Sequence, residues 1–324
     1  MKVLLTHTPQ SRRQYYGGRS LNGLQALAEV TLHEADDALD TAGLIEAARD
    51  VDIIVADRLT EGPREIFPRL PKLRAFVRCA VDIRNIDVEA ASRAGVLVTR
   101  AGPGFVASVA ELAIGFLVDL SRGVSRAVAD YHSERMPEVM MGRQLAGSTL
   151  GIIGYGSIGR YLAEIAKAMG MEVLVADPHA TVSVQGIQHL PLEELLERSD
   201  YVVCLAVANA ATENLIGEAA LARMRPHAFF LNLSRGNLVD EAALAAALRE
   251  NRIAGAAIDV GRARDQMPTP DLARLSNVIA TPHIGGLTPP AIESQSLETV
   301  QQVEAIIKGK APTGAVNAEH WTRR

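Results

Sequence analysis

The chain has 324 residues, 48% hydrophobic and 22% charged, with a formal net charge of −5. This length predicts two globular domains, and the composition excludes a disordered chain. The acidic balance, with no basic block, argues against a nucleic-acid partner. The N-terminus turns polar too early for a signal peptide, and charged residues interrupt the longest apolar stretch. We therefore expect a cytoplasmic protein with no membrane association.

Short β-branched runs alternate with helical patterns along almost the whole chain, which predicts an α/β fold with parallel sheets. A first series has strands at 3–6, 51–56, 73–78 and 96–99 and helices at 21–28, 41–49 and 87–94. A second series has strands at 150–154, 172–176, 201–206, 228–232, 253–259 and 278–280 and helices at 158–169, 192–198, 241–251 and 290–308. We expect two Rossmann-like, doubly wound domains with a cleft between them.

A long apolar stretch at 105–131 separates the two series and predicts a single helix. A helix that is apolar on most of its faces must be buried, here between domains or between subunits. The two cysteines, Cys79 and Cys204, lie in apolar runs and are interpreted as buried thiols, with a disulfide as the alternative.

A glycine motif opens the second series. Gly154, Gly156 and Gly159 fit the pattern G-x-G-x-x-G between a strand-like run and a helix. The first glycine permits a tight turn, the second lets the backbone approach a pyrophosphate, and the third lets helix and strand pack closely. Free N–H groups at Ser157 and Ile158, together with the helix dipole, favour the phosphates. The motif alone is weak evidence, but its position between strand and helix predicts a dinucleotide site.

The next strand ends at Asp177, the position of an acid that accepts hydrogen bonds from the adenosine ribose. Its charge would repel a 2′-phosphate, so we predict NAD rather than NADP, a preference that His179 would soften. The alternative is a glycine-rich turn in an unrelated α/β domain. Residues 101–287 are predicted to form the NAD-binding domain, and 1–100 with 288–324 a discontinuous substrate-binding domain.

Two later segments offer groups for hydride transfer to a 2-keto acid, which needs a cation for the carboxylate and an acid for the developing alkoxide. Arg235 follows a predicted strand at the edge where ligands bind, and its planar fork suits a carboxylate. The alternative is a structural ion pair with Asp240 or Glu241. His283 follows another strand, between a proline and two glycines, and can change protonation near neutral pH. An ordinary surface or core histidine is the alternative.

These residues carry a resemblance along almost the full length of the chain. The chain resembles the D-isomer-specific 2-hydroxyacid dehydrogenases in five segments: 108–111, the glycine motif with Asp177, 232–240, 255–260 and 281–286. The resemblance implies that Arg235 binds the substrate carboxylate and carbonyl and that His283 is the acid and base. It also implies a homodimer, an NAD cofactor, no metal, and further cofactor contacts at Thr212, Ser234, Asp259 and Gly285, with Ser108 near the nicotinamide.

The chain departs from the family pattern in three places. Arg264 stands where a glutamate commonly pairs with the histidine, and we expect Asp265 to take that role after a one-residue shift; the alternative is a solvated loop carboxylate. The loop that holds the substrate carboxylate by its N–H groups, at Ala80, Val81 and Asp82, has an acid where a glycine is common. Arg84 or another cation must neutralise that acid. Val207 replaces a usual proline beside the adenine.

Two other functions remain open. One is a different substrate, such as the phosphoglycerate or hydroxypyruvate type, or formate or phosphite. For an anionic side group, Arg12, Arg13 and Arg19 in a predicted loop are candidates, with solvent-facing charges as the alternative. The other is an NAD-sensing binding protein with little turnover.

Overall fold

The computed structural model describes residues 1–324, which divide into two compact units. The first comprises Met1–Phe105 and Thr288–Arg324, and the second Val106–Leu287. Each unit is built on one fully parallel sheet, of five strands in the first and seven in the second. The predicted α/β class with two parallel-sheet domains is confirmed.

The first unit has the strand order β2-β1-β3-β4-β5. Its strands are β1 Lys2–Leu5, β2 Glu29–Leu32, β3 Ile53–Ala56, β4 Ala75–Arg78 and β5 Leu97–Arg100. The helices between them are α1 Pro9–Tyr15, α2 Gly18–Leu27, α3 Thr41–Ala47, α4 Ile66–Arg69 and α5 Val88–Arg93.

Buried β-branched and aromatic residues explain the central strands of this sheet. Every residue of β3 and β4 is buried, as expected for parallel strands that are covered on both faces. Alternate side chains enter two separate apolar clusters: Ile54 and Phe76 belong to one, Ile53 and Val77 to the other.

The second unit has the strand order β12-β11-β10-β9-β6-β7-β8. Its strands are β6 Thr149–Ile153, β7 Glu172–Ala176, β8 Ile187–His189, β9 Tyr201–Cys204, β10 Phe229–Asn232, β11 Gly255–Ile258 and β12 Val278–Ala280. Its helices are α6 Val106–Arg122, α7 Val124–His132, α8 Ser157–Ala168, α9 Leu192–Arg198, α10 Glu218–Arg223, α11 Glu241–Arg249 and α12 Pro270–Ala273. The chain then returns to the first unit with α13, Pro289–Ile307.

The order of strands reverses at β6, because β7 and β8 follow on one side of it and β9 to β12 on the other. Ligands of doubly wound sheets bind at the carboxyl ends of the strands beside such a reversal. The glycine motif follows β6, so it lies at this point of the second sheet.

Three expectations about secondary structure were wrong. The apolar stretch at 105–131 forms two helices, because Gly123 adopts a left-handed conformation with φ 64° and ends the first of them. Its second half, α7, has no buried residue, so that part is not apolar on all sides. Arg12 and Arg13 lie in helix α1, which the Thr8 side chain caps by accepting the Ser11 N–H, and Arg19 lies in helix α2.

Other expectations hold at this level. Cys79 and Cys204 are free and buried, so the disulfide alternative is wrong, and burial raises the pKa of each thiol to about 12. None of the helices combines the length and the apolar character that crossing a bilayer requires.

Candidate active site

The three glycines of the motif are required for different reasons. Gly154 has φ 96°, and a Cβ there would lie 2.7 Å from the backbone N of Ala206 in the loop after β9. A Cβ on Gly159 would lie 2.3 Å from the carbonyl oxygen of Gly154. A Cβ on Gly156, in contrast, would meet no atom within 4 Å. Packing therefore selects Gly154 and Gly159, whereas Gly156 faces open space that suits the close approach of a ligand.

Helix α8 begins directly behind this open glycine. Gly156 is its N-terminal cap residue, and no side chain caps the helix. The first N–H groups of a helix, here those of Ser157 and Ile158, have no partner within the helix. Together with the helix dipole they form a cradle for an anion such as a pyrophosphate. The residues of this turn fit a dinucleotide.

Asp177 follows β7 and closes the same turn. One carboxylate oxygen accepts the N–H of Tyr155 at 2.7 Å, and the other accepts the N–H of His179 at 2.9 Å. Partial burial alone would raise the pKa of Asp177, but these two hydrogen bonds outweigh it and hold the pKa below its usual value. The group is ionised near neutral pH, and its oxygens retain lone pairs for ribose hydroxyls.

Asp259, directly after β11, organises the loop that carries His283. Its buried carboxylate accepts the hydroxyl of Thr281 at 2.6 Å and the N–H groups of Ile284 and Gly285, each at 2.8 Å. Its backbone carbonyl accepts the N–H of His283 at 2.9 Å. A Cβ on Gly285 would lie 2.9 Å from the carboxylate, which explains the glycine.

His283 is half-buried and holds an uncommon left-handed backbone conformation with φ 56°. Its Nδ1 lies 3.0 Å from the backbone carbonyl oxygen of Asp265. A carbonyl can only accept, so Nδ1 is the donor in this pair. The structure thus brings Asp265 to the imidazole through its main chain. A role for its carboxylate stays a prediction.

Arg235 lies in the segment after β10 and is half-buried. Asn232 at the end of the strand fixes that segment, because its amide donates to the carbonyl of Arg235 at 3.0 Å and its oxygen accepts the N–H of Ser234 at 3.2 Å. The two acids that were alternatives as ion-pair partners of Arg235 accept hydrogen bonds from other residues. Asp240 caps α11, and Glu241 accepts the N–H of Arg262.

Arg235 and His283 share one edge of the second sheet. Strands β10, β11 and β12 are adjacent and parallel, with Asn232 paired with Ile258 and Ile258 with Ala280. Both residues follow the carboxyl ends of their strands, and strands in a sheet are about 4.8 Å apart. A guanidinium and an imidazole therefore lie on the edge where the glycine turn also lies.

In the first unit, the loop after β4 contains an ion pair. The carboxylate of Asp82 accepts Nε of Arg84 at 3.0 Å and an Nη of the same residue at 2.6 Å. Arg84, the cation that was expected from the sequence, therefore neutralises the charge of Asp82. The hydrogen bond to this carboxylate raises the pKa of Arg84.

Comparison with known proteins decides the family. Residues 114–285 match the family described as "D-isomer specific 2-hydroxyacid dehydrogenase, NAD binding domain". The chain is 33% identical over 301 residues to D-3-phosphoglycerate dehydrogenase of Methanocaldococcus jannaschii, covering 91% of this chain and 57% of that one. It is 32% identical over 316 residues to glyoxylate reductase of Thermococcus litoralis, covering 93% and 95%. The chain belongs to the D-isomer specific 2-hydroxyacid dehydrogenase family.

Members of this family are NAD-dependent oxidoreductases, and the matched segment is their NAD-binding domain. The chain spans nearly all of the glyoxylate reductase but little more than half of the phosphoglycerate dehydrogenase. Among solved structures, the TT0316 protein from Thermus thermophilus superimposes with a TM-score of 0.88 at 29% identity, covering 98% of this chain and 100% of that one.

Several predicted cofactor positions lie in loops and turns of the second unit. The Ser234 hydroxyl donates to the carbonyl of Ala206, which adjoins the glycine turn. Thr212 lies in an exposed short turn and donates to the carbonyl of Val207, the residue that replaces a usual proline. Ser108 lies in the first turn of α6.

Sequence analysis missed two arginines that shape the loops. Arg78 at the end of β4 is completely buried, and its guanidinium contacts the carbonyls of Asp57 and Thr60. Arg262 makes several hydrogen bonds in the loop that contains Asp265. The only sequence signal for Arg78 is its position at the end of a predicted strand, and no pattern indicates Arg262.

Proposed function

We propose that this chain reduces a small 2-keto acid to the D-2-hydroxy acid with NADH, and catalyses the reverse oxidation with NAD. The observation that carries the proposal is the sheet edge that presents the glycine turn, Arg235 and His283 together. NADH supplies the hydride that the carbonyl carbon accepts. The chain's own residues must bind the acid, hold its carbonyl and deliver one proton.

Arg235 is assigned to the substrate carboxylate and carbonyl oxygen, because its fork can hold two oxygens and stabilise the charge that develops on one of them. His283 is assigned as the acid and base. With Nδ1 bonded to a carbonyl, the protonated ring donates its Nε2 proton to the alkoxide, and the neutral ring accepts it in the reverse direction. Asp265 is the partner that orients this ring.

The remaining substrate and cofactor contacts are proposed by position. Backbone N–H groups at Ala80, Val81 and Asp82 are assigned to the substrate carboxylate, and the ion pair of Asp82 with Arg84 neutralises the charge of Asp82. The cofactor is assigned to residues of the glycine turn and of the neighbouring loops: Gly154, Gly156, Ser157, Ile158, Gly159, Asp177, Thr212, Ser234, Asp259, Gly285 and Ser108.

A panel of 2-keto acids tests the proposal: glyoxylate, hydroxypyruvate, phosphohydroxypyruvate, pyruvate, and branched and aromatic acids, followed by NADH absorbance. Glyoxylate and hydroxypyruvate lead the panel because relatives that this chain matches over most of their length are named glyoxylate reductases. NADH binding without turnover on any acid would instead make the chain an NAD-sensing binding protein.

Two variants test the assigned roles. Arg235→Ala and His283→Ala should each lower kcat/KM by about 100- to 10,000-fold while NADH binding changes by less than about threefold. Arg198→Ala is the matched control, since Arg198 forms surface ion pairs on helix α9. Wild-type rates in either active-site variant would remove that residue from its role.

We also propose a homodimer formed through the second unit. Val124, Val128 and Tyr131 are exposed by 46 to 64% on one face of α7, and the segment behind it carries Met136 and Val139, exposed by 84% and 99%. Apolar surface of this extent indicates a protein contact. Light scattering should give twice the chain mass, and Val128→Glu should yield a monomer. A wild-type monomer at micromolar concentration contradicts the proposal.

A further inference from the structure

The loop Val260–Thr269, between β11 and α12, contacts both the segment that carries Arg235 and the imidazole of His283. We call it the bridging loop. It is compact, because the N–H of Gly261 donates to the carbonyl of Gln266 at 2.7 Å and the N–H of Ala263 to that of Met267 at 3.0 Å. At its tip, Asp265 and Gln266 both adopt left-handed conformations with φ 57°. Residues other than glycine rarely adopt this conformation, so the surrounding contacts must hold it.

One side of the bridging loop is fastened to the segment that carries Arg235. The guanidinium of Arg262 donates to the carbonyls of Asn237 and Val239, each at 3.1 Å. It also donates to the side chains of Asn214 at 2.6 Å and Glu213 at 2.9 Å. These four contacts share the two hydrogens of one terminal nitrogen, Nη2, and Nε donates a further hydrogen bond to the carbonyl of Val239 at 3.2 Å, a second donor atom that a lysine lacks.

Glu241 and two glycines complete this attachment. The Glu241 carboxylate accepts the backbone N–H of Arg262 at 2.8 Å and the hydroxyl of Thr269 at 2.7 Å, so it holds both ends of the bridging loop. A Cβ on Gly236 would lie 2.1 Å from the carbonyl carbon of Gly261, which shows that the two backbones touch directly beside Arg235. The bridging loop is therefore anchored to the Arg235 segment.

The other side of the bridging loop meets the imidazole. The carbonyl of Asp265 is the partner of Nδ1 of His283 at 3.0 Å. We propose that Arg262 and Glu241 are positioning residues, which hold the Asp265 carbonyl in place so that His283 keeps its proton on Nδ1 and presents Nε2 to the substrate. This inference rests on the proposed function for its kinetic consequence and on the contacts alone for its structural one.

A carbonyl partner differs chemically from the carboxylate partner that the sequence suggested. Both accept from Nδ1 and fix the same tautomer, but the carbonyl belongs to the main chain and survives substitution of the side chain. The orientation of the imidazole then depends on the backbone of the bridging loop. Removal of the loop's fastening should disturb the ring more than removal of the Asp265 charge.

The first experiment measures the tautomer directly, by nitrogen NMR of protein with ¹⁵N-labelled histidine, with the signal assigned by its loss in His283→Gln. Neutral His283 should carry its proton on Nδ1 in the wild type and in Asp265→Asn. In Arg262→Ala the signal should shift towards the mixture of both tautomers. A wild-type tautomer in Arg262→Ala, or a loss of it in Asp265→Asn, would overturn the inference.

The second experiment measures rates with the best substrate of the panel. Arg262→Ala should lower kcat by about 10- to 100-fold with KM for NADH unchanged, since misplacing a reacting group by about 1 Å costs up to this factor. Arg262→Lys, which keeps the charge but not the fork, should give a smaller loss and guards against failure to fold. Asp265→Asn tests the carboxylate separately, and a displaced pH profile in that variant would assign a role to the carboxylate beside that of the carbonyl.

Arg198→Ala serves as the control here as well. Arg198 has the same side-chain exposure as Arg262, 37%, and also contacts two carboxylates, but it lies far from β11 and β12 in strand order. Equal losses of kcat in Arg198→Ala and Arg262→Ala would mean that the loss comes from general destabilisation and not from the position of His283. If the wild type reduces no 2-keto acid, the proposed function fails while the tautomer measurement still tests the positioning role.

Discussion

The two sheets share one architecture but differ at the edge where their strands end. In the first unit that edge contains buried charged and titratable groups: Arg78 is 0% and His7 1% exposed. In the second unit it consists mainly of glycines, backbone N–H groups and half-buried side chains, with one buried carboxylate, that of Asp259. The first edge is closed by side chains that hold loops together, and the second is open to a ligand. We expect substitutions to affect stability at the first edge and cofactor binding at the second.

The largest effect should come from Arg78→Leu. Its guanidinium holds the carbonyls of Asp57 and Thr60 and the side chain of Asn85 in the interior, and burial lowers its pKa to about 10. Without the guanidinium, these buried oxygens lose their hydrogen-bond donor. The free energy of unfolding should therefore fall by about 3 kcal/mol. Urea denaturation measures this.

The control for Arg78→Leu is Arg198→Ala, whose exposed ion pairs should contribute less than about 1 kcal/mol. Similar losses of unfolding free energy in the two variants would mean that the buried Arg78 does not stabilise the loops at the first edge.

The pair Gly159→Ala and Gly156→Ala tests the open edge. The first places a methyl 2.3 Å from the Gly154 carbonyl and should lower the free energy of unfolding by about 2 kcal/mol. The second places it in open space, and replacing the cap glycine of α8 should lower stability by about 1 kcal/mol or less. Calorimetric titration with NADH should nevertheless show at least about tenfold weaker binding to Gly156→Ala. Unchanged affinity would exclude Gly156 from the cofactor site.

Acid should weaken the first edge through His7. Desolvation lowers the pKa of His7 from 6.5 to about 4, and its Nδ1 has no hydrogen-bond partner. The unfolded chain therefore binds a proton at His7 more readily than the folded chain does. Neutral His7 leaves the free energy of unfolding at its full value above pH 6.5, and this free energy decreases as the pH falls towards 4. Between pH 7.5 and 5 the loss should be about 2 kcal/mol.

The variant His7→Gln isolates that contribution. Denaturation at pH 7.5 and 5 should show a smaller difference between the two pH values in the variant than in the wild type. An identical pH dependence would assign acid sensitivity to other groups.

The smallest effect concerns cofactor choice. Asp177→Ser removes a carboxylate whose pKa lies below its usual value, so the repulsion of a 2′-phosphate disappears. The ratio of kcat/KM for NADH to that for NADPH should fall by about tenfold, or about 1.4 kcal/mol. Stability should decrease only slightly, because the hydrogen bond from Tyr155 is only partly buried and that from His179 is exposed. A constant ratio would contradict the role of Asp177.

Strong local patterns predicted most of the fold. The bounds predicted for strands β7 and β12 and for helix α9 agree with the structure to the residue. The edge strands β2 and β8 were missed, because both are short and half exposed and therefore lack a continuous apolar run. The break at Gly123 was missed because the apolar pattern continues across it.

The sequence by itself determined the parallel α/β architecture, the glycine turn and the candidate pair Arg235 and His283, because each depends on residues that are neighbours along the chain. Only the tertiary structure decided what holds them. The carbonyl of Asp265 bonds to an imidazole eighteen positions away, and Arg262 bonds to carbonyls of the Arg235 segment. Every residue carries a carbonyl, so no pattern of side chains indicates which one a fold will bring to a given ring.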